Sequence, residues 1–137
     1  MSSLKVDNIT GRGSTGFTGS VKSEGGNTTT DLQQGLTKHW CNWTQVSTTA
    51  VYDSFNNGSI TDESSGYTTI GFTNNFASIN YVYTGGANGL NYASPIFSMS
   101  GRNNKTTSQT QIRTLKTTDN GTVDPDDVGM DTSGDLA

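Results

Sequence analysis

Apolar and polar side chains alternate through the middle of this chain with the period of two that marks strands. From Tyr67 to Thr73 the pattern sets Thr68, Ile70 and Phe72 on one side. From Leu36 to Trp43, one face carries Leu36, Lys38, Trp40 and Asn42, and the other carries Thr37, His39, Cys41 and Trp43. Val51 to Phe55 predicts a strand with Val51, Asp53 and Phe55 opposed to Tyr52 and Ser54. Ile79 to Thr84 sets Ile79, Tyr81 and Tyr83 against Val82. Tyr92 to Ser98 reads as a strand that Pro95 confines to an edge or a bulge. Gln109 to Leu115 sets Ile112 against Arg113. Between these runs, Asn56-Asn57-Gly58, Glu63 to Gly66, Gly85 to Gly89 and Asp119 to Gly121 are turn signals, the first a hairpin signal. The expected fold is all-β: a short antiparallel β-sandwich, jelly-roll-like, over residues 35–137.

The ends read differently. Met1 to Asn8 is a short extended segment anchored by Leu4 and Val6, and Gly13, Gly16 and Gly19 recur every third residue. Collagen places glycine at that interval on its axis, but three glycines without proline form no such helix, and a plain Gly/Ser linker explains them as well. Val21 to Thr30 is loop-like. Thr30 or Asp31 suits the start of one helical turn that Gly35 would stop. Residues 1–34 are therefore expected to form an extended N-terminal arm. After Gly121 the chain is acidic and poor in apolar residues, with Val123, Val128 and Met130 as its anchors, and a loose tail is expected.

Composition sharpens this picture. Hydrophobic residues make up 29 % of the 137 residues. A lone chain this polar buries little apolar area and is marginal as a monomer, so neighbouring subunits are expected to complete the core. Trp40 and Trp43, three apart on one strand, point to opposite faces. Either one packs in the core and the other at a subunit interface, or one merely covers a loop. Leu4, Val6, Trp40 and Trp43 are the candidate interface residues. The net charge of −4 and the lack of a basic block leave no footprint for nucleic acid. The opening MSSLKVDN has no apolar segment, and no run is long enough to insert in a membrane. Six Asn-x-Ser/Thr triplets follow from the abundance of Asn and Thr.

Reactive groups are few. His39 is the only histidine and Cys41 the only cysteine. Two positions along one strand face are about 7 Å apart, too far for direct hydrogen bonding, so His39 reads as a polar residue on the sheet and Cys41 as a small core residue. Asp53, Asp62 and Glu63 have nothing in the sequence that pairs them for acid–base work. Asp124, Asp126, Gly129 and Asp135 match positions 1, 3, 6 and 12 of a calcium loop, but Val128 stands where an oxygen ligand is needed and no helices flank it. No catalytic residue, metal site or cofactor is expected, and the chain is not read as an enzyme.

GLTKHW at Gly35 to Trp40, DSFN at Asp53 to Asn56, SITD at Ser59 to Asp62, GYT at Gly66 to Thr68 and FT at Phe72 and Thr73 follow in one order after an opening Leu4 to Asp7. In this the chain resembles a family of small virion fibre proteins of tailed phages, common among marine phages. The resemblance covers the N-terminal run and roughly the middle half of the chain. It implies a homotrimer on the virion. An N-terminal segment would bind another virion protein, and a β-rich head would contact a glycan or protein of the host surface. The alternative is a capsid decoration or adaptor protein that stabilises the particle without binding a receptor. The family's tail usually ends in an apolar strand, where this chain has GTVDPDDVGMDTSGDLA. Loop tips are the places for a receptor contact. The tip at Gly85 to Gly89, with Tyr83, Asn88 and Tyr92, is the candidate; an ordinary hairpin tip with flanking core tyrosines is the other reading of it.

Overall fold

The computed structural model describes residues 20–22, 29–31, 36–89, 96–99 and 104–137. The chain divides into two units, Met1–Leu36 and Thr37–Ala137. In the first, β1 (Ser20–Lys22) and β2 (Thr29–Asp31) pair antiparallel, Val21 opposite Thr30. Thr30 and Asp31 thus belong to a strand, and the helical turn expected after them lies outside the described residues.

The second unit holds eight described strands: β3 (His39–Thr44), β4 (Ala50–Phe55), β5 (Asn57–Ser64), β6 (Tyr67–Phe72), β7 (Val82–Asn88), β8 (Ile96–Met99), β9 (Gln109–Leu115) and β10 (Asp127–Ser133). They form two four-stranded antiparallel sheets, ordered β4-β3-β10-β7 and β5-β6-β9-β8. Three of the seven connections, β3–β4, β5–β6 and β8–β9, join neighbours within one sheet, and the other four cross between the sheets.

The inner faces meet in one core. Across the first sheet run the rows Val51–Trp43–Val128–Ala87 and Ser54–Cys41–Met130–Gly85. The second contributes Ile60, Ile70 and Ile112. Phe72 sits edge-on to Phe76 (4.9 Å), Tyr81 (5.6 Å) and His39 (5.0 Å). Such aromatic contacts add about 0.5–1.5 kcal/mol beyond burial alone. Where apolar residues run short, threonine fills the core: Thr68, Thr110, Thr114 and Thr132 are fully buried. Their branched side chains suit strands, and their hydroxyls require partners. Gln45, buried just past β3, meets that need for Thr68 and Thr114 across the sandwich. Its Nε2 donates to Thr68 Oγ1 (2.6 Å), and its Oε1 lies 3.2 Å from Thr114 Oγ1. The Thr114 hydroxyl also donates to Val123 O at 2.6 Å.

Three features depart from the sequence pattern. First, β10 is a central strand between β3 and β7. The expected loose tail is instead anchored by Val128, Met130 and Thr132, all turned inward and buried. Second, Asn57-Gly58 does not close a hairpin. Asn56 adopts a left-handed φ of 58° and sends the chain from β4 in one sheet to β5 in the other. Its Nδ2 donates to Lys38 O (2.9 Å) and Asn74 O (3.1 Å), and its Oδ1 accepts from Asn74 N (2.6 Å). Third, the register slips between Asn42 and Trp43, so that Val51 pairs with Trp43 and Asp53 with Asn42. Tyr52 is the extra residue of this β-bulge. A one-residue slip reverses the facing of the residues on its far side, which turns Val51 inward and Phe55 outward, although the alternation put them on one face.

Candidate functional site

The outward face of the first sheet is the candidate site. Its aromatic ridge is a cross-strand pair, Trp40 on β3 opposite Phe55 on β4, 37 % and 53 % exposed. The same row continues to Asp131 on β10 and Thr84 on β7, whose hydroxyl donates to Asp131 Oδ1 at 2.5 Å. The next row is Asp53–Asn42–Gly129–Gly86. Glycines in the strand interior leave the backbone bare. A Cβ on Gly86 would meet nothing within 4 Å, and one on Gly129 would meet only Asn42 Nδ2 at 3.9 Å. Asn42 Nδ2 donates to Asp127 Oδ1 (2.5 Å) and Val128 O (3.2 Å), which fixes its amide beside that floor. Tyr52, set out by the bulge, donates its hydroxyl to Asp126 O (3.2 Å). The face is thus a ridge of two aromatic rings beside a shallow glycine floor, bordered by Asp53, Asp127 and Asp131. Its apolar rings favour contact with another surface, and its carboxylates disfavour an acidic one.

The two tryptophans separate as opposite-facing residues must. Trp40 is on this face. Trp43 is 0 % exposed, in the row with Val51 and Val128. Trp43 is therefore a core residue and is corrected as an interface candidate. Leu4 and Val6 lie outside the described residues.

The expected receptor tip is not a loop. Gly85 and Gly86 are inside β7 and pair with Met130 and Gly129 of β10. Tyr83 lies in the inward row with Thr132 and His39, and it packs half-buried against the core. Burial pushes its hydroxyl up to about 12, with the Thr110 hydroxyl pulling the other way. Asn88, at the end of β7 opposite Asp127, is exposed. Tyr92 lies outside the described residues.

His39 and Cys41 share the inner face and are both buried. Burial lowers His39 to about 4, against weaker raising effects from Asn57 and the negative Asp131, and raises the Cys41 thiol to about 11. Both are neutral near pH 7, the reverse of an activated thiolate beside a protonated imidazole. His39 Nδ1 lies 3.3 Å from Thr132 Oγ1. These contacts assign the pair to packing. Asp53 lies on β4 in one sheet, Asp62 and Glu63 on β5 in the other. The calcium-loop match runs through β10. Its Asp124 carboxylate accepts from Gly66 N at 2.5 Å, and no group of three acidic, His or Cys side chains among the described residues could hold a metal ion.

The geometry defines an all-β protein of the sandwich type, two antiparallel sheets around a threonine-rich aromatic core. No protein family, curated protein or solved structure gives a significant match to this chain.

Proposed function

We propose that this chain is a phage virion structural protein, a homotrimeric tail-fibre-like protein that attaches the particle to the host cell surface. Its N-terminal segment joins another virion protein, and its β-sandwich faces the host. The observation that carries this reading is the exposed Trp40–Phe55 pair on a sheet whose core is already complete without it. Such a ridge calls for a neighbour. Asp53, Asp127 and Asp131 on the same face favour three-fold over two-fold assembly. A two-fold contact would set the acidic face against its own copy, whereas a three-fold contact is heterologous and meets a different surface. The order of short motifs from Leu4 to Thr73 resembles phage fibre proteins and supplies the virion setting.

The test is adsorption. Purified protein added to host cells is expected to bind them and to compete with intact particles. Protein that binds particles and leaves cells untouched would move the assignment to the decoration or adaptor role.

A further inference from the structure

On the opposite side of the sandwich, the outward face of β5-β6-β9 carries a cleft of about 240 Å³ lined by Glu63, Thr69, Asn104, Thr106, Gln109 and Gln111. We propose that this cleft is a binding subsite for a neutral saccharide unit. The proposal deepens the attachment reading, since it names the ligand class and the place on the head.

Three observations carry it. The first is the chemistry of the lining, which holds three carboxamides, two hydroxyls and one carboxylate, and neither a cation nor an apolar side chain. An anion would find no counter-charge there, and an apolar ligand would leave those polar groups unpaired. Vicinal sugar hydroxyls, each both donor and acceptor, match carboxamides that offer both functions side by side.

The second is that the floor is already fixed. Asn104 Nδ2 donates to Gln111 Oε1 at 2.6 Å, and Gln111 Nε2 reaches Thr69 Oγ1 at 3.5 Å. Thr106 Oγ1 accepts from Gln109 N at 3.1 Å, which ties the 104–109 segment to the start of β9. These bonds order the amides before a ligand arrives, and a preordered site loses less entropy on binding. They leave Asn104 Oδ1, one Gln111 Nε2 hydrogen and the Gln109 carboxamide without a hydrogen bond among the described residues.

The third is the placing of Glu63. Asp62 pairs with Thr68 and Ser64 with Tyr67, so Glu63 is the extra residue of a bulge in β5. A bulge re-aims one side chain without breaking the sheet. Here it brings a carboxylate with no hydrogen bond among the described residues to the rim of an otherwise neutral cleft, where it accepts from two adjacent hydroxyls.

The experiment follows backbone amide resonances of the full chain during titration with methyl glycosides of glucose, galactose, mannose and N-acetylglucosamine, with glucuronate and calcium as separate arms. At least one neutral glycoside should shift Thr69, Asn104, Thr106 and Gln111 saturably. Glu63→Gln and Gln111→Ala, both at solvent-facing positions, should each weaken that binding about five- to tenfold while the core resonances stay in place. No saturable shift with any neutral glycoside overturns the proposal. So does a shift that maps to Asn88 instead, or a response to glucuronate or calcium alone. Particles carrying Glu63→Gln separate the two readings. If the glycoside binds the cleft but adsorption is unchanged, the subsite stands and its part in attachment falls. If the head mediates adsorption and no glycoside binds, attachment stands and the subsite falls.

Discussion

At the scale of single residues, the molecule shows how a polar chain builds an interior. His39 is the clearest case, an imidazole buried against Phe72 and Thr132 and lowered to about 4 by that burial. The unfolded chain takes up its proton near the ordinary value of about 6.5, before the folded one does. The stability from keeping His39 neutral is therefore fully present above about pH 7. It falls as the pH drops through about 6.5 and is lost near pH 4, a total of roughly 3 kcal/mol. Urea unfolding between pH 5 and 8 should show wild type losing stability through that window, while His39→Gln, weaker at neutral pH, changes much less. Parallel curves for the two proteins would show that His39 is not the group involved. The sequence marked His39 as a sheet residue on the face shared with Cys41 and Trp43, and the structure agrees. Alternation alone separates two faces without naming the inner one, and only the reading of Cys41 as a core residue pointed to this one.

At the scale of elements, β6 and β9 were legible because their inward positions carry Ile70, Phe72 and Ile112. Three others were misread in facing, extent or order. In β4 the bulge at Asn42/Trp43 breaks the alternation on which the reading depended. In β7, Gly85 and Gly86 give the composition of a turn, yet both sit in the ladder against β10. In β10 the inward positions are Val128, Met130 and Thr132, a period-two signal hidden by the surrounding aspartates. The cleft was invisible for a related reason. Its lining comes from β5, β6, β9 and the segment before β9, and each polar residue alone reads as ordinary solvent-facing strand. The placing of β10 gives a sharp expectation. Removing residues 127–137 would take out β10, the strand that pairs with both β3 and β7 in the middle of a four-stranded sheet, and open the core at Trp43 and Cys41. The shortened chain should lose its β-type circular dichroism and its cooperative thermal transition. A full-length melting temperature in the shortened chain would restore the loose-tail reading.

At the scale of the whole molecule, the low apolar content and the two faces of β3 bear on assembly. The interior is closed with threonine, Gln45 and an aromatic cluster. What the fold leaves exposed on the strands of the first sheet includes the rings of Trp40 and Phe55, together with Tyr52 and Val82. The proposed trimer uses that surplus, and its test separates the core from the interface through two tryptophans three residues apart. Trp43→Ala empties the space between Val51 and Val128 and should cost roughly 3–5 kcal/mol, enough to unfold a chain of ordinary stability. Trp40→Ser leaves every inward row intact, so it should keep the thermal transition of the sandwich while the sedimenting species falls from about three times the 14.5 kDa chain mass to one. A wild-type chain that sediments as a monomer at micromolar concentration would refute the trimer outright. A Trp40→Ser protein that stays trimeric would leave assembly to another part of the chain and free the Trp40–Phe55 ridge for a different partner.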